Sequence, residues 1–138
     1  MAYLTLTITN TENIKAGIEI SKVFDEKGGT IGRSWDNDWV LIDPHVSSRH
    51  AVLVFKSGQF LIEDISRNGI SLNGASAKIE KGVKYPLHDV RSVRIGPFNI
   101  SVKVLFGIFH LYLLNLRLSP SLDSFIIFSE SINAERYL

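Results

Sequence analysis

The sequence predicts an all-β fold, an antiparallel β-sandwich, and three observations carry that expectation. Apolar and polar residues alternate with a period of two through residue 105, the spacing that buries one face of a strand. Turn signals built from Gly, Asn, Asp and Ser fall between the alternating runs. No long helical repeat separates these runs, so short strands pair with near neighbours and stack as two sheets.

The elements follow in chain order. Leu4, Leu6 and Ile8 alternate with Thr5, Thr7 and Thr9, giving a first strand with one apolar face. Lys27-Gly28-Gly29 is a turn, and the run GGTIGRS then ends on Gly32-Arg33. Asp36-Asn37-Asp38 is a second turn, flanked by Trp35 and Trp39, which are expected to pack at the core and its rim. VSSRH, residues 46 to 50, leads into AVLVF, read as a buried strand with Val52 and Val54 on its inward face. Ser57-Gly58 turns the chain into a strand carrying Phe60 and Ile62; Arg67-Asn68-Gly69 and Asn73-Gly74 turn it again. Ile100, Val102 and Val104 form the last alternating strand. In a sandwich the loops gather at two ends, and function is expected there.

Composition removes several classes. At 138 residues the chain holds one domain with a real core. Fifteen Lys and Arg are dispersed among 14 Asp and Glu for a net charge of +1, without the basic stripe of a nucleic-acid binder. There is no cysteine, which excludes disulfides and thiolate chemistry and suits a reducing, cytoplasmic setting. The opening MAYLTLTITN alternates and does not read as a signal peptide.

The last 33 residues differ in kind. Through residue 105 there are 8 Lys and 10 Val, and from Phe106 to Leu138 there is neither. The apolar run from Val104 to Leu118 is interrupted by His110, Asn115 and Arg117, and falls short of the ~20 apolar residues that span a bilayer. A domain over residues 1–105 is therefore expected, with 106–138 an apolar extension that covers a sheet edge, pairs with a second copy as a homodimer, or is a tail foreign to the domain.

Four pieces stand out at strand ends: Gly32-Arg33, Ser47-Ser48-Arg49-His50, Ser66-Arg67-Asn68-Gly69 and Asn73-Gly74. An arginine, hydroxyls and an asparagine meeting on neighbouring loops make a site for an oxyanion, because a phosphate offers three strong acceptors and nearly two charges. Taken singly, each residue has a plainer role: Arg33 in a surface ion pair, His50 as a structural histidine, Ser47 and Ser66 as turn caps.

In that order, GR, SSRH, SRNG and NG resemble the forkhead-associated (FHA) domain, a phosphothreonine-reading β-sandwich, over residues 1 to 105. The block GGTIGRSWDNDWVLIDPHVSSRHA is similar to FHA domains associated with bacterial type VI secretion. The resemblance implies about 10 to 11 strands in an FHA/SMAD-like arrangement, no enzymatic activity and no cofactor or metal. It implies that Arg33 and Ser47 bind phosphate, that Asn68 holds the peptide main chain, and that His50 braces the loops. Gly32 and Gly69 are implied to be structural, while Ser48, Arg49 and Arg67 tune affinity or the residues read beside the phosphothreonine. The pattern departs at Ile70, where Thr is common in the family.

The implied partner is a phosphothreonine protein made by an upstream Ser/Thr kinase, with neither nucleic acid nor membrane involved. A phospho-independent scaffold is the competing class. A hydrolase built on Ser48, His50 and Asp64 lacks a nucleophile elbow and a Gly-rich oxyanion signal. The triplet Asp36-Asn37-Asp38 lacks the rest of a calcium loop.

Overall fold

Alternation along the first strand translates directly into packing. In the computed structural model, which describes residues 1–12 and 14–106, strand β1 (Ala2–Ile8) buries Ala2, Leu4, Leu6 and Ile8 and leaves Thr5 and Thr7 half-buried. It lies between β2 (Ser21–Phe24) and β10 (Phe98–Phe106), antiparallel to both. β10 in turn pairs with β9 (Ser92–Ile95), and β9 with β7 (Ile70–Leu72), completing a five-stranded sheet.

The second sheet has the order β4 (Trp39–Val40), β3 (Gly29–Gly32), β5 (Ala51–Lys56), β6 (Gln59–Asp64), β8 (Lys84–Pro86). Every pairing in the two sheets is antiparallel except β3 with β4, which is parallel. The ten strands among the described residues bury one shared core, with Leu4, Ile95 and Ile100 from one sheet and Ile31, Leu53 and Ile62 from the other.

One strand differs from expectation in phase. Ala51 and Leu53 are buried, whereas Val52 and Val54 are only half-buried. In AVLVF every position is apolar, so hydropathy does not fix which face turns inward; pairing with Asp64 and Ile62 of β6 does. Trp39 is buried and donates its indole N–H to Glu19 O at 2.9 Å, but Trp35 is 88% exposed and packs at no rim. The expectations for residues 107 to 138 lie outside the described residues. Among the described residues no helix is long and apolar enough to cross a membrane.

For function, the useful consequence is where the strands end. β3, β5 and β6 bring residues 32, 51 and 64 to one level of the second sheet, so the segments 33–38, 41–50 and 65–69 emerge at one rim. Segment 65–69 also carries the chain from the second sheet into the first.

Candidate anion-binding site

Backbone bonds fasten the three rim segments together before any side chain acts. Arg33 N donates to Ser47 O at 2.9 Å and Ser34 N to Ser48 O at 3.2 Å, while Ile65 N donates to His50 O at 3.1 Å. Gly32 makes the approach to Ser48 O possible. A Cβ there would stand 2.3 Å from Ser48 O and 2.8 Å from Asn37 Nδ2. Gly32→Ala must therefore push the 41–50 segment outward, with an expected loss of about 1–3 kcal/mol, measurable as a lowered midpoint in urea unfolding.

His50 is fully buried and joins two of the segments. Its Nδ1 accepts from Ser47 N at 3.1 Å, which leaves Nε2 as the protonated nitrogen that donates to Gly69 O at 2.9 Å. Burial pushes this imidazole below its usual pKa, and the charges of Lys78 and Lys81 press the same way against the opposing pull of Gly69 O and Asp64. A folded-state pKa below the unfolded value means that the unfolded chain binds the extra proton more readily. The stabilisation from neutral His50 is thus complete above about pH 6.5 and is lost as the pH falls through the folded value. Urea midpoints between pH 8 and 5 should decline over that window, and the part of the decline due to His50 should vanish in His50→Gln.

Ser47 is held by its own acceptor side. Arg67 N donates to Ser47 Oγ at 2.9 Å, so the hydroxyl proton is left to donate outward. Arg33 is exposed, and its one side-chain bond among the described residues is a long contact from Nη2 to Ser48 Oγ at 3.4 Å. No carboxylate faces it among the described residues, so the surface ion pair foreseen for it as the plainer role is not formed. Arg33, Ser47, Ser48, Arg67 and Asn68 line one depression of about 280 Å³, with Pro44 and Val46 as its apolar wall. Asn68 gives one amide N–H to His45 O at 3.0 Å and keeps its second N–H and its Oδ1 available.

Arg49 lies elsewhere. Its guanidinium bonds Asp36 Oδ2 at 2.9 Å, Asn37 Oδ1 at 3.1 Å and Thr30 Oγ1 at 3.2 Å, and it does not line the depression. Implied by the resemblance to tune affinity or the residues read beside the phosphothreonine, Arg49 bonds the loop that carries Arg33. The Asp36-Asn37-Asp38 triplet is spent on the same loop. Asp36 holds its proton more weakly than usual because of a hydrogen bond from Ser34 and the charge of Arg49. Asp38 Oδ2 accepts from Thr30 N at 2.8 Å. Asn37, which sequence reasoning passed over, is buried and donates to both Ser34 O at 2.8 Å and Ser48 O at 2.7 Å. Its signal was weak, since an asparagine between two aspartates reads first as a turn.

Segment 65–69 has its own brace. Asp64 Oδ1 accepts from Ser66 N at 2.8 Å and from Ser66 Oγ at 2.5 Å, and Ser66 Oγ accepts from Gly69 N at 2.7 Å. Gly69 sits at φ +89°, a conformation that a side chain resists. With both ring nitrogens of His50 committed to backbone, none is free to take a proton from Ser48, so Ser48, His50 and Asp64 form no hydrolytic triad.

Among the described residues, the rim of this two-sheet sandwich thus presents a guanidinium that faces no carboxylate, an oriented hydroxyl and an amide with one N–H engaged. Residues 29–96 match the family model described as FHA domain, and the chain belongs to that family. It is 34% identical over 94 residues to the FHA domain-containing protein FhaB of Mycobacterium tuberculosis; the match covers 67% of this chain and 57% of FhaB. The crystal structure of the FhaA FHA domain, complexed with the intracellular domain of Rv3910, superposes with a TM-score of 0.56 at 26% identity, over 72% of this chain and 99% of that one. Mycobacterium tuberculosis EmbR, solved with a low affinity phosphopeptide, shares the fold with a TM-score of 0.61 at 24% identity, over 76% of this chain and 25% of EmbR.

Proposed function

We propose that this domain binds a phosphothreonine segment of a partner protein, and that binding is its whole activity. The observation that carries the reading is the convergence of Arg33, Ser47 and Asn68 on one depression, with the Arg33 guanidinium facing no carboxylate among the described residues. A phosphate dianion there gains charge-assisted hydrogen bonds from Arg33, a directed bond from the Ser47 hydroxyl and the field of Arg67. Asn68, with one donor and one acceptor left, has the complement of an extended peptide's C=O and N–H.

The partner is then the product of a Ser/Thr kinase, and the setting is the cytoplasm, where such kinases act. The similarity of residues 28–51 to type VI-associated FHA domains supports a role in assembling or regulating a secretion complex. The complexes recorded for the EmbR and FhaA domains support the same interaction class.

Calorimetric titration with a matched pair of peptides, one carrying phosphothreonine and one carrying threonine, tests the reading. Affinity for the phosphorylated peptide alone is expected. Equal affinity for the two would turn the assignment toward a phospho-independent scaffold. In the same assay Ser47→Ala should weaken the phosphorylated peptide by about 0.5–1.5 kcal/mol, the net value of one hydrogen bond.

A further inference from the structure

Segment 65–69 supplies Arg67 and Asn68 to the depression, and it is held from two sides. On one side stands segment 41–50, through the bond from Arg67 N to Ser47 Oγ. On the other lies the connection between β7 and β8. Ile79 N donates to Ile70 O at 2.8 Å and Gly82 N to Asp64 O at 3.0 Å, so this connection is bonded to the chain just before and just after the segment. Between those two points Lys81 Nζ donates to Arg67 O at 2.8 Å.

Lys81 is exposed, forms no ion pair among the described residues and does not line the depression. An exposed lysine ordinarily keeps its ammonium in water; this one gives a donor to a main-chain carbonyl. That carbonyl belongs to the peptide unit joining Arg67 to Asn68. In a trans unit the C=O and the N–H point opposite ways across one plane, so a bond that fixes the oxygen also fixes the direction of Asn68 N–H. Asn68 N–H makes no hydrogen bond among the described residues. A cation on the carbonyl also polarises the unit and makes that N–H a stronger donor.

We infer that Lys81 is a positioning residue for phosphopeptide recognition: through the Arg67 carbonyl it sets the plane of the Arg67–Asn68 unit, so that Asn68 meets the bound segment with main chain and side chain together. Arg67 benefits in the same way, because its N–H is held by Ser47 and its C=O by Lys81, which fixes both peptide units beside its side chain. The inference rests on the reading of the depression given above. It adds to that site a residue 14 positions from Arg67 that governs affinity without touching the ligand.

The test titrates the full chain calorimetrically with a phosphothreonine peptide flanked by alanines, and with its unphosphorylated twin. Lys81→Met keeps a stem of similar length and loses donor and charge; it should bind the phosphorylated peptide about three- to tenfold more weakly, the scale of one hydrogen bond, with its urea midpoint unchanged. Lys81→Arg can still donate to the carbonyl and should bind within about twofold of the parent. The loss in Lys81→Met should persist at about 0.5 M salt, where charges are screened beyond roughly 4 Å, because the contact is local. On the free chain, the Asn68 amide shift should move in Lys81→Met and return towards the parent in Lys81→Arg. Parent-like binding by Lys81→Met, no recovery in Lys81→Arg, or a loss that disappears at high salt overturns the inference, and so does a loss matched by a fall in the urea midpoint, which would make Lys81 a general brace. All of these outcomes leave the parent's requirement for phosphothreonine intact. Equal binding of the two peptides by the parent overturns the reading beneath the inference as well.

Discussion

Arg33→Ala should bind a phosphothreonine peptide about ten- to a hundredfold more weakly than the parent while unfolding at nearly the same urea concentration. The affinity loss follows from removing hydrogen bonds to a charged acceptor, about 1.5–3 kcal/mol, where each ~1.4 kcal/mol is tenfold. Stability should change by no more than about 0.5 kcal/mol, because the side chain is exposed and its one bond among the described residues is the 3.4 Å contact to Ser48 Oγ. The loop does not depend on that side chain. Arg33 N still meets Ser47 O, and Asn37 and Arg49 still hold the segment from below. Arg33→Lys keeps the charge and loses the planar fork, so it should fall between the two. A calorimetric titration beside a urea melt separates the quantities, and equal affinity of Arg33→Ala and parent would remove Arg33 from the site.

His50→Ala should have the opposite profile, a large loss of stability with binding weakened as a consequence. The substitution orphans Ser47 N and Gly69 O and opens a void where a fully buried ring stood. Each orphaned buried group costs about 1–3 kcal/mol, and the void adds to this, so a total near 3–5 kcal/mol is expected. A domain of this size is stable by only about 5–15 kcal/mol, so much of its margin disappears. Ser47 then loses its fixed position, and the folded fraction should bind phosphopeptide more weakly than the parent. A urea midpoint within about 0.5 kcal/mol of the parent would mean that the imidazole does not brace the rim.

Much of this was legible because local chemistry and tertiary structure agree. Leu4, Leu6 and Ile8 alternate with threonines, so the buried face of β1 is written in hydropathy alone. Arg33, Ser47 and Asn68 stand 14 and 21 residues apart along the chain. Only the pairing of β3, β5 and β6 brings them together, and it was the order of the motifs rather than any periodicity that pointed to it.

Other features had no local signal. AVLVF is apolar at every position, so the phase of β5 depends on its partner strand. Arg49 stands two residues from Ser47, a spacing that shares a face in an extended strand, but residues 47–49 are loop and its side chain turns to Asp36, away from the depression. Trp35 is apolar by composition, but the loop bonds at Ser34 and Asn37 leave it in solvent.

The most direct measurement is a map of backbone amide shifts as a phosphothreonine peptide is added to the labelled domain. Saturating changes should concentrate at Arg33, Ser47, Ser48, Arg67 and Asn68, with the unphosphorylated peptide leaving them unmoved. Changes confined to the edge strand Ser21–Phe24, or a rim that ignores the phosphate, would contradict the placement of the site.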